Sequence, residues 1–252
     1  MSEKALHRRR REVVTPQKFI QIEGPEWRQR VRDGTAEWAE CLACGRDMGP
    51  RVTKGRLVSH FYHRKGVDAS DCPYSPNPNP RFRHVWADRW DIPRGDRLRR
   101  EFCEERNLKT AFNVCTRIAG SVSTDEFIAM VREADRRRIW RYSAIRLEFV
   151  PYVLLTLIDF HAVANRNRVR RLDFGFDFRF IIHLAHTQPL NRIWEFPGKH
   201  ELRPAFADTG VDIHKIRTFR IADSRIERNR DDIGWISEPA YRKLDRELCQ
   251  GR

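Results

Sequence analysis

Three of the six cysteines in this chain lie within 32 residues, in CLACGRDMGPRVTKGRLVSHFYHRKGVDASDC, residues 41–72. Thiolate and imidazole are the ligands that a zinc ion prefers, and Cys-x2-Cys brings two sulfurs to one ion by a single turn. Gly45, just after Cys44, permits the tight backbone such a turn needs. Cys41 and Cys44 therefore supply one half of a tetrahedron. Three residues compete for the other half: Cys72, His63 and His60. Cys72 is preferred as the softer ligand, and His63 is placed ahead of His60 because it ends the VSHFYH segment, leaving His60 as the alternative ligand. Four protein ligands leave no open position, so the expected zinc is structural. No thioredoxin-like strand and helix surround the CxxC, which argues against a redox motif.

The elements that must position these ligands are short. SPNPNPRF, with three prolines between Ser75 and Phe82, marks the far boundary of the module. Before it, residues 1–12 read as a mobile basic arm, KFIQIEG as a short strand, and PEWRQRVRDG as a helical turn opened by Pro25 and stopped by Gly34. The organisation expected is an arm with a short strand and helix over 1–34, a zinc-binding module over 35–76 and an α+β domain over 81–252. That domain is helical over 84–145, β-rich over 168–206 and closed by a helix over 237–249.

Within the larger domain, RGDRLRREFCEERN predicts a helix with Leu98 and Phe102 one turn apart, and FNVCTRI a strand. Ser123 and Glu126 form a capping-box pattern ahead of Phe127, Val131 and Ala134. PYVLLTLIDFHAVA predicts a buried helix. RRLDFGFDFRFIIHLAH carries apolar residues at every second place from Leu172 to Leu184 and predicts a strand, with RIWEFPG and KHELRPAF completing an antiparallel meander. EPAYRKLDRELC predicts the last helix. The fold class is thus α+β: a small zinc-stapled β-hairpin module followed by a mixed helical and antiparallel β-sheet domain.

CLACG, then a basic segment ending in HFYH, then a cysteine, resembles the N-terminal zinc-finger-like region of the competence protein CoiA family over about residues 36–74. The resemblance implies a small β-hairpin zinc module in a prokaryotic protein that handles DNA. In that family a nuclease domain of the restriction-endonuclease type follows. Here its E-x-K strand is replaced, at closest, by Asp159 followed by Asp177-Phe178-Arg179, with arginine where the attacking water needs a lysine. The other reading of Asp159, Asp177 and Arg179 is a polar strand face with cross-strand ion pairs. A third reading, Phe174 and Phe176 as a base-stacking face, competes with a place for them in the core.

Forty-nine basic residues, 41 of them arginine, against 35 acidic ones leave a net charge of +14 and a pI of about 10.1. Such a chain meets polyanions, and arginine suits phosphate. Four basic segments could carry that contact: Arg8, Arg9 and Arg10; Arg136, Arg137, Arg138 and Arg141 interleaved with Trp140 and Tyr142; Arg168, Arg170 and Arg171; and RTFRIADSRIERNR at 217–230. The expected function is a zinc-containing, prokaryotic nucleic-acid-binding protein for DNA or RNA. It would act as a non-catalytic subunit in DNA processing, defence or a ribonucleoprotein effector, with other protein subunits as further partners. The alternatives are a CoiA-like metal-dependent nuclease and a zinc-finger adaptor between proteins. No run of about 18 apolar residues suggests a membrane partner. MSEKALHRRRRE lacks the apolar stretch of a secretory signal, so a cytoplasmic location with reduced thiols is expected.

Overall fold

Threonine followed by proline sets where the first helix begins. The computed structural model describes residues 2–52, 59–76, 85–87, 89–161, 177–183, 189–196, 200–209, 213, 218–221 and 229–250. In it Thr15 caps helix α1 (Pro16–Glu23), its hydroxyl accepting from the Lys18 N–H at 3.3 Å. Pro16 fills a first-turn place whose N–H needs no partner, and Gly24 closes the helix at a φ of 84°. The strand expected over KFIQIEG is therefore a helix. Its buried residues, Pro16, Phe19 and Glu23, fall at helical spacing.

The chain forms two units, Met1–Trp86 and Ala87–Arg252. In the first, strands β1 (Ala5–His7), β2 (Glu12–Val14), β3 (Ala39–Glu40), β4 (Asp47–Arg51) and β5 (His60–His63) make one antiparallel sheet in the order β2-β1-β3-β4-β5. The segment expected to be a mobile arm is thus part of the sheet. Ala5, Leu6 and His7 are buried, and only the arginines between β1 and β2 form an exposed turn. Ser2 bridges Phe61, so the chain start also meets the opposite edge strand.

Helix α1 lies against β4, and helix α2 (Trp27–Arg32) adds Trp27 to the same core. The Phe19 ring meets Trp27 and Phe61 edge-on at 5.8 and 6.0 Å, a favoured aromatic arrangement. On the other side of the sheet, Gly49 must be glycine for lack of space. A Cβ there would lie 2.9 Å from the Trp38 ring and 3.0 Å from the Tyr62 ring.

The second unit is built on helices α3 (Ile92–Phe102), α4 (Glu105–Ala119), α5 (Thr124–Arg136), α6 (Val150–Leu154), the short α7 (Arg192–Glu195) and α8 (Glu238–Leu248). The capping box of α5 is present. The Ser123 hydroxyl accepts from the Glu126 N–H at 3.2 Å and the Glu126 carboxylate accepts from the Ser123 N–H at 2.9 Å. FNVCTRI, expected as a strand, is the interior of α4. Every residue from Thr110 to Cys115 is buried, so alternate and helical spacing fit this stretch equally well and length decides for the helix. RIWEFPG likewise contributes α7 rather than a strand, with Ile193 and Trp194 buried side by side.

Strands β6 (Phe178–His183), β7 (Glu201–Phe206) and β8 (Phe219–Arg220) form an antiparallel sheet in that order, so β6 and KHELRPAF pair as expected. Phe178, Phe180 and Ile182 are core residues, and Phe160 stacks on Phe178 at 5.3 Å. Phe174, Phe176 and Leu172 lie outside the described residues. Cys103 and Cys249, which end α3 and α8, are joined as a disulfide, their Cα atoms 5.6 Å apart. The expectation of reduced thiols fails for this pair, because helix packing brings together two cysteines 146 positions apart. Among the described residues no helix is long and apolar enough to cross a membrane. The class is α+β, with a Cys/His cluster in the small strand region.

Candidate metal centre

Cys41 leaves β3 into a turn in which the Gly45 N–H donates to the Cys41 carbonyl at 2.9 Å and the Cys41 N–H donates to the Arg46 carbonyl at 2.9 Å. Gly45 has a φ of 75°, the left-handed conformation that favours glycine. This turn directs Cys41 and Cys44 to one point. His63 arrives from the end of β5, opposite Met48 in register, and Cys72 from the turn after it.

The four ligand atoms all lie within 4.8 Å of one another. Cys41 Sγ and Cys72 Sγ are 3.6 Å apart, and Cys44 Sγ and His63 Nε2 are 3.3 Å apart. Zinc bonds of about 2.3 Å to sulfur and about 2.0 Å to nitrogen give tetrahedral edges of about 3.8 and about 3.5 Å. The cluster fits a bound metal ion.

Its electrostatics point the same way. Burial raises the Cys41 thiol well above its ordinary value. Hydrogen bonds with Cys41 and Cys72 hold Cys44 well below the thiol range, helped by the backbone N–H of Arg46. The hydrogen bond with Cys41 favours a thiolate at Cys72, but the one with Cys44 and burial outweigh it and push Cys72 up to about 12. Three sulfurs this close cannot all ionise without a cation between them. Arg46, ion-paired with Asp71, also lies against the Cys44 sulfur.

Strand alternation separates the two histidines. Phe61 is fully buried, so His63, two places on, shares its side, while His60 points to the other. That signal was present in HFYH and would have chosen His63 without reference to segment ends.

The arginine clusters fare differently. Arg8 is bound to Glu40 at 3.0 Å and Asp47 at 2.8 Å, and it donates to the Gly45 carbonyl at 3.5 Å, so it braces the metal turn. Arg9 and Arg10 are exposed at the tip between β1 and β2. Arg9 reaches the Thr35 carbonyl at 2.8 Å and Arg10 is 4.0 Å from Glu12. Arg11, missed in the sequence, completes the tip with a φ of 53°.

The second cluster is largely not a surface. Trp140 and Tyr142 are 4% and 0% exposed, so neither can stack on a base. The Trp140 Nε1–H donates to Asp135 Oδ1 at 2.8 Å, and Arg99, paired with the same carboxylate at 2.7 Å, covers the indole. Arg137 is buried on Glu133, which also holds Arg136, and Arg141 pairs with Asp96. Arg138 is the left-handed residue before the 3-10 turn Ile139–Arg141. Interleaved Arg and Trp look alike whether the aromatic faces solvent or core, and here helix packing chooses core. Arg168, Arg170 and Arg171 lie outside the described residues.

Asp159 and Arg179 form an ion pair at 3.1 Å, and Asp177 meets His161 at 2.9 Å. Both are cross-strand pairs flanking the Phe160–Phe178 bridge. The Asp159 carboxylate thus lies in ion-pair contact with a guanidinium. Among the described residues, the cysteine and histidine set is the group of metal-ligating type that converges on one point. Comparison with family models, curated proteins and solved structures gives no match.

Proposed function

We propose that this chain is a zinc-containing nucleic-acid-binding protein that acts without a catalytic centre of its own, in DNA processing, defence or a ribonucleoprotein assembly. The observation that carries the reading is Arg8, one residue of a basic turn, anchored on Glu40, Asp47 and the Gly45 carbonyl beside the metal ligands. A closed site at Cys41, Cys44, His63 and Cys72 thereby braces a turn whose next three residues, Arg9, Arg10 and Arg11, face solvent. Three thiolates and one imidazole favour zinc over harder cations. With all four positions taken by protein, the ion stabilises the fold and binds no substrate.

The likeness of residues 36–74 to the CoiA-like zinc region, the charge of +14 and the pairing of Asp159 with Arg179 support a binding rather than a cleaving role. Arginines at the tip would neutralise phosphates, which makes affinity steeply salt-dependent. The test is fluorescence anisotropy of the metal-replete full chain against labelled duplex DNA and single-stranded RNA over a salt series. Arg9→Gln, Arg10→Gln and Arg11→Gln together should lower the slope of log K against log salt by about 2 to 3. Wild-type protein that binds neither probe would sink the proposal.

A further inference from the structure

Among the described residues of the second unit most guanidinium groups are neutralised. Arg99 pairs with Asp135, Arg106 with Asp231, Arg117 with Asp232, Arg132 with Glu247, Arg141 with Asp96 and Arg242 with Glu238. One helix face departs from this pattern. Arg94, Arg97 and Arg100 follow each other at every third place of α3, and among the described residues none of them forms an ion pair. Asp96, between them, is turned towards Arg141 at 3.3 Å, and Glu101 pairs with none of the three.

The other face of α3 explains why these arginines point outward. Gly95, Leu98 and Phe102 are buried, and a Cβ on Gly95 would stand 2.6 Å from the Arg141 Cα. The helix is therefore seated closely on the turn at Ile139–Arg141, which leaves Arg97 and Arg100 exposed and Arg94 at the edge. Arg94 Nη1 is buried without a hydrogen-bond acceptor.

We propose that this face of α3 is a contact surface for the phosphodiester backbone of nucleic acid, additional to the β1–β2 turn; the inference rests on the nucleic-acid reading above. Charge complementarity identifies the occupant. Three residues of helix advance about 4.5 Å, so the row spans about 9 Å, comparable to the axial advance of two or three phosphates of one strand at about 3.4 Å each. Each guanidinium offers a planar fork that fits a phosphate with two hydrogen bonds. Nothing in the row reads a base, so the contact is independent of sequence.

The experiment uses the full metal-replete chain, titrated into labelled duplex DNA and labelled single-stranded RNA from about 50 to about 200 mM salt. One variant carries Arg94→Gln, Arg97→Gln and Arg100→Gln. A control of equal charge loss carries Arg132→Gln, Arg242→Gln and Arg246→Gln, whose guanidinium groups already face Glu238 or Glu247. Arg97→Gln alone guards against misfolding of the triple variant, and melting curves check both. The α3 variant should lower the salt slope by about 2 to 3 on its preferred probe, Arg97→Gln by about 1, and the control by far less. The probe that responds more tells duplex from single strand. An unchanged slope in the α3 variant, with wild type binding steeply, overturns the inference and leaves the reading of the β1–β2 turn standing. Equal losses in the α3 and control variants overturn it too, since the attraction is then spread over the whole charge. Wild-type protein that binds neither probe overturns both.

Discussion

Asp159 and Arg179 face one another across the Phe160–Phe178 bridge, Oδ1 to Nε 3.1 Å, with side chains only 25% and 12% exposed. The residues that most resembled a nuclease site pair across the entry to β6. Asp159→Asn should leave Arg179 half-buried beside a neutral amide and lower stability by about 1 to 3 kcal/mol. Asp177→Asn, in the exposed pair with His161, should stay within about 0.5 kcal/mol of wild type. Denaturant melts measure both; equal effects would remove the distinction drawn between the two pairs.

The metal centre makes a prediction about histidines and another about protons. His63→Ala should abolish bound zinc while His60→Ala retains one ion per chain, as read by elemental analysis. In the metal-free centre the thiols of Cys41 and Cys72 are raised, which favours their protonated forms, and that of Cys44 is lowered, which favours its thiolate. Zinc binding near pH 7 should therefore release about two protons, and affinity should fall as pH drops. Calorimetry in buffers of different ionisation enthalpy counts them; zero release contradicts the assignment.

Trp140 is a core residue, so Trp140→Ala should cost about 3 to 5 kcal/mol and leave the salt slope of nucleic-acid binding unchanged in protein that remains folded. A selective loss of affinity with normal stability would restore it as a stacking residue.

Glu133 ties Arg136 and the buried Arg137. Burial favours its neutral form, but the hydrogen bond from Arg136 and the charge of Arg137 outweigh this and hold the carboxyl below its ordinary value. A folded value below the unfolded one means that the stabilisation is present above the ordinary carboxylate range and lost as pH falls through the folded value. Glu133→Gln should lower stability by about 1 to 3 kcal/mol at pH 7 and by less under acid. Melts at the two pH values would show a constant difference if the ion pairs contributed nothing.

Joining Cys103 to Cys249 closes a 146-residue span, which constrains the unfolded chain. Cys249→Ser should destabilise the second unit by about 2 to 5 kcal/mol, and a reducing agent should bring wild type to the same stability without further effect on the variant. A thiol count of six under non-reducing denaturation would refute the pairing.

What could be read from the residues alone was local in the chain. Cys41, Cys44 and Gly45 carry their turn within five positions, Ser123 and Glu126 cap their own helix, and the period of two from Phe178 to Ile182 declares a strand with one buried face. The Thr15-Pro16 and Gly24 pair was legible too, as helix punctuation, but the alternation of KFIQIEG masked it. Everything decided at long range needed the tertiary structure: Arg8 as a brace on Asp47, Asp159 spent on Arg179, Cys103 meeting Cys249, and Trp140 turned inward under Arg99. Side-chain type and spacing settle which backbone a segment prefers, because those preferences arise from neighbours a few residues away. Whether a charge is neutralised or an aromatic is buried depends on which distant segment packs against it, and that is chosen only when the whole chain closes its core.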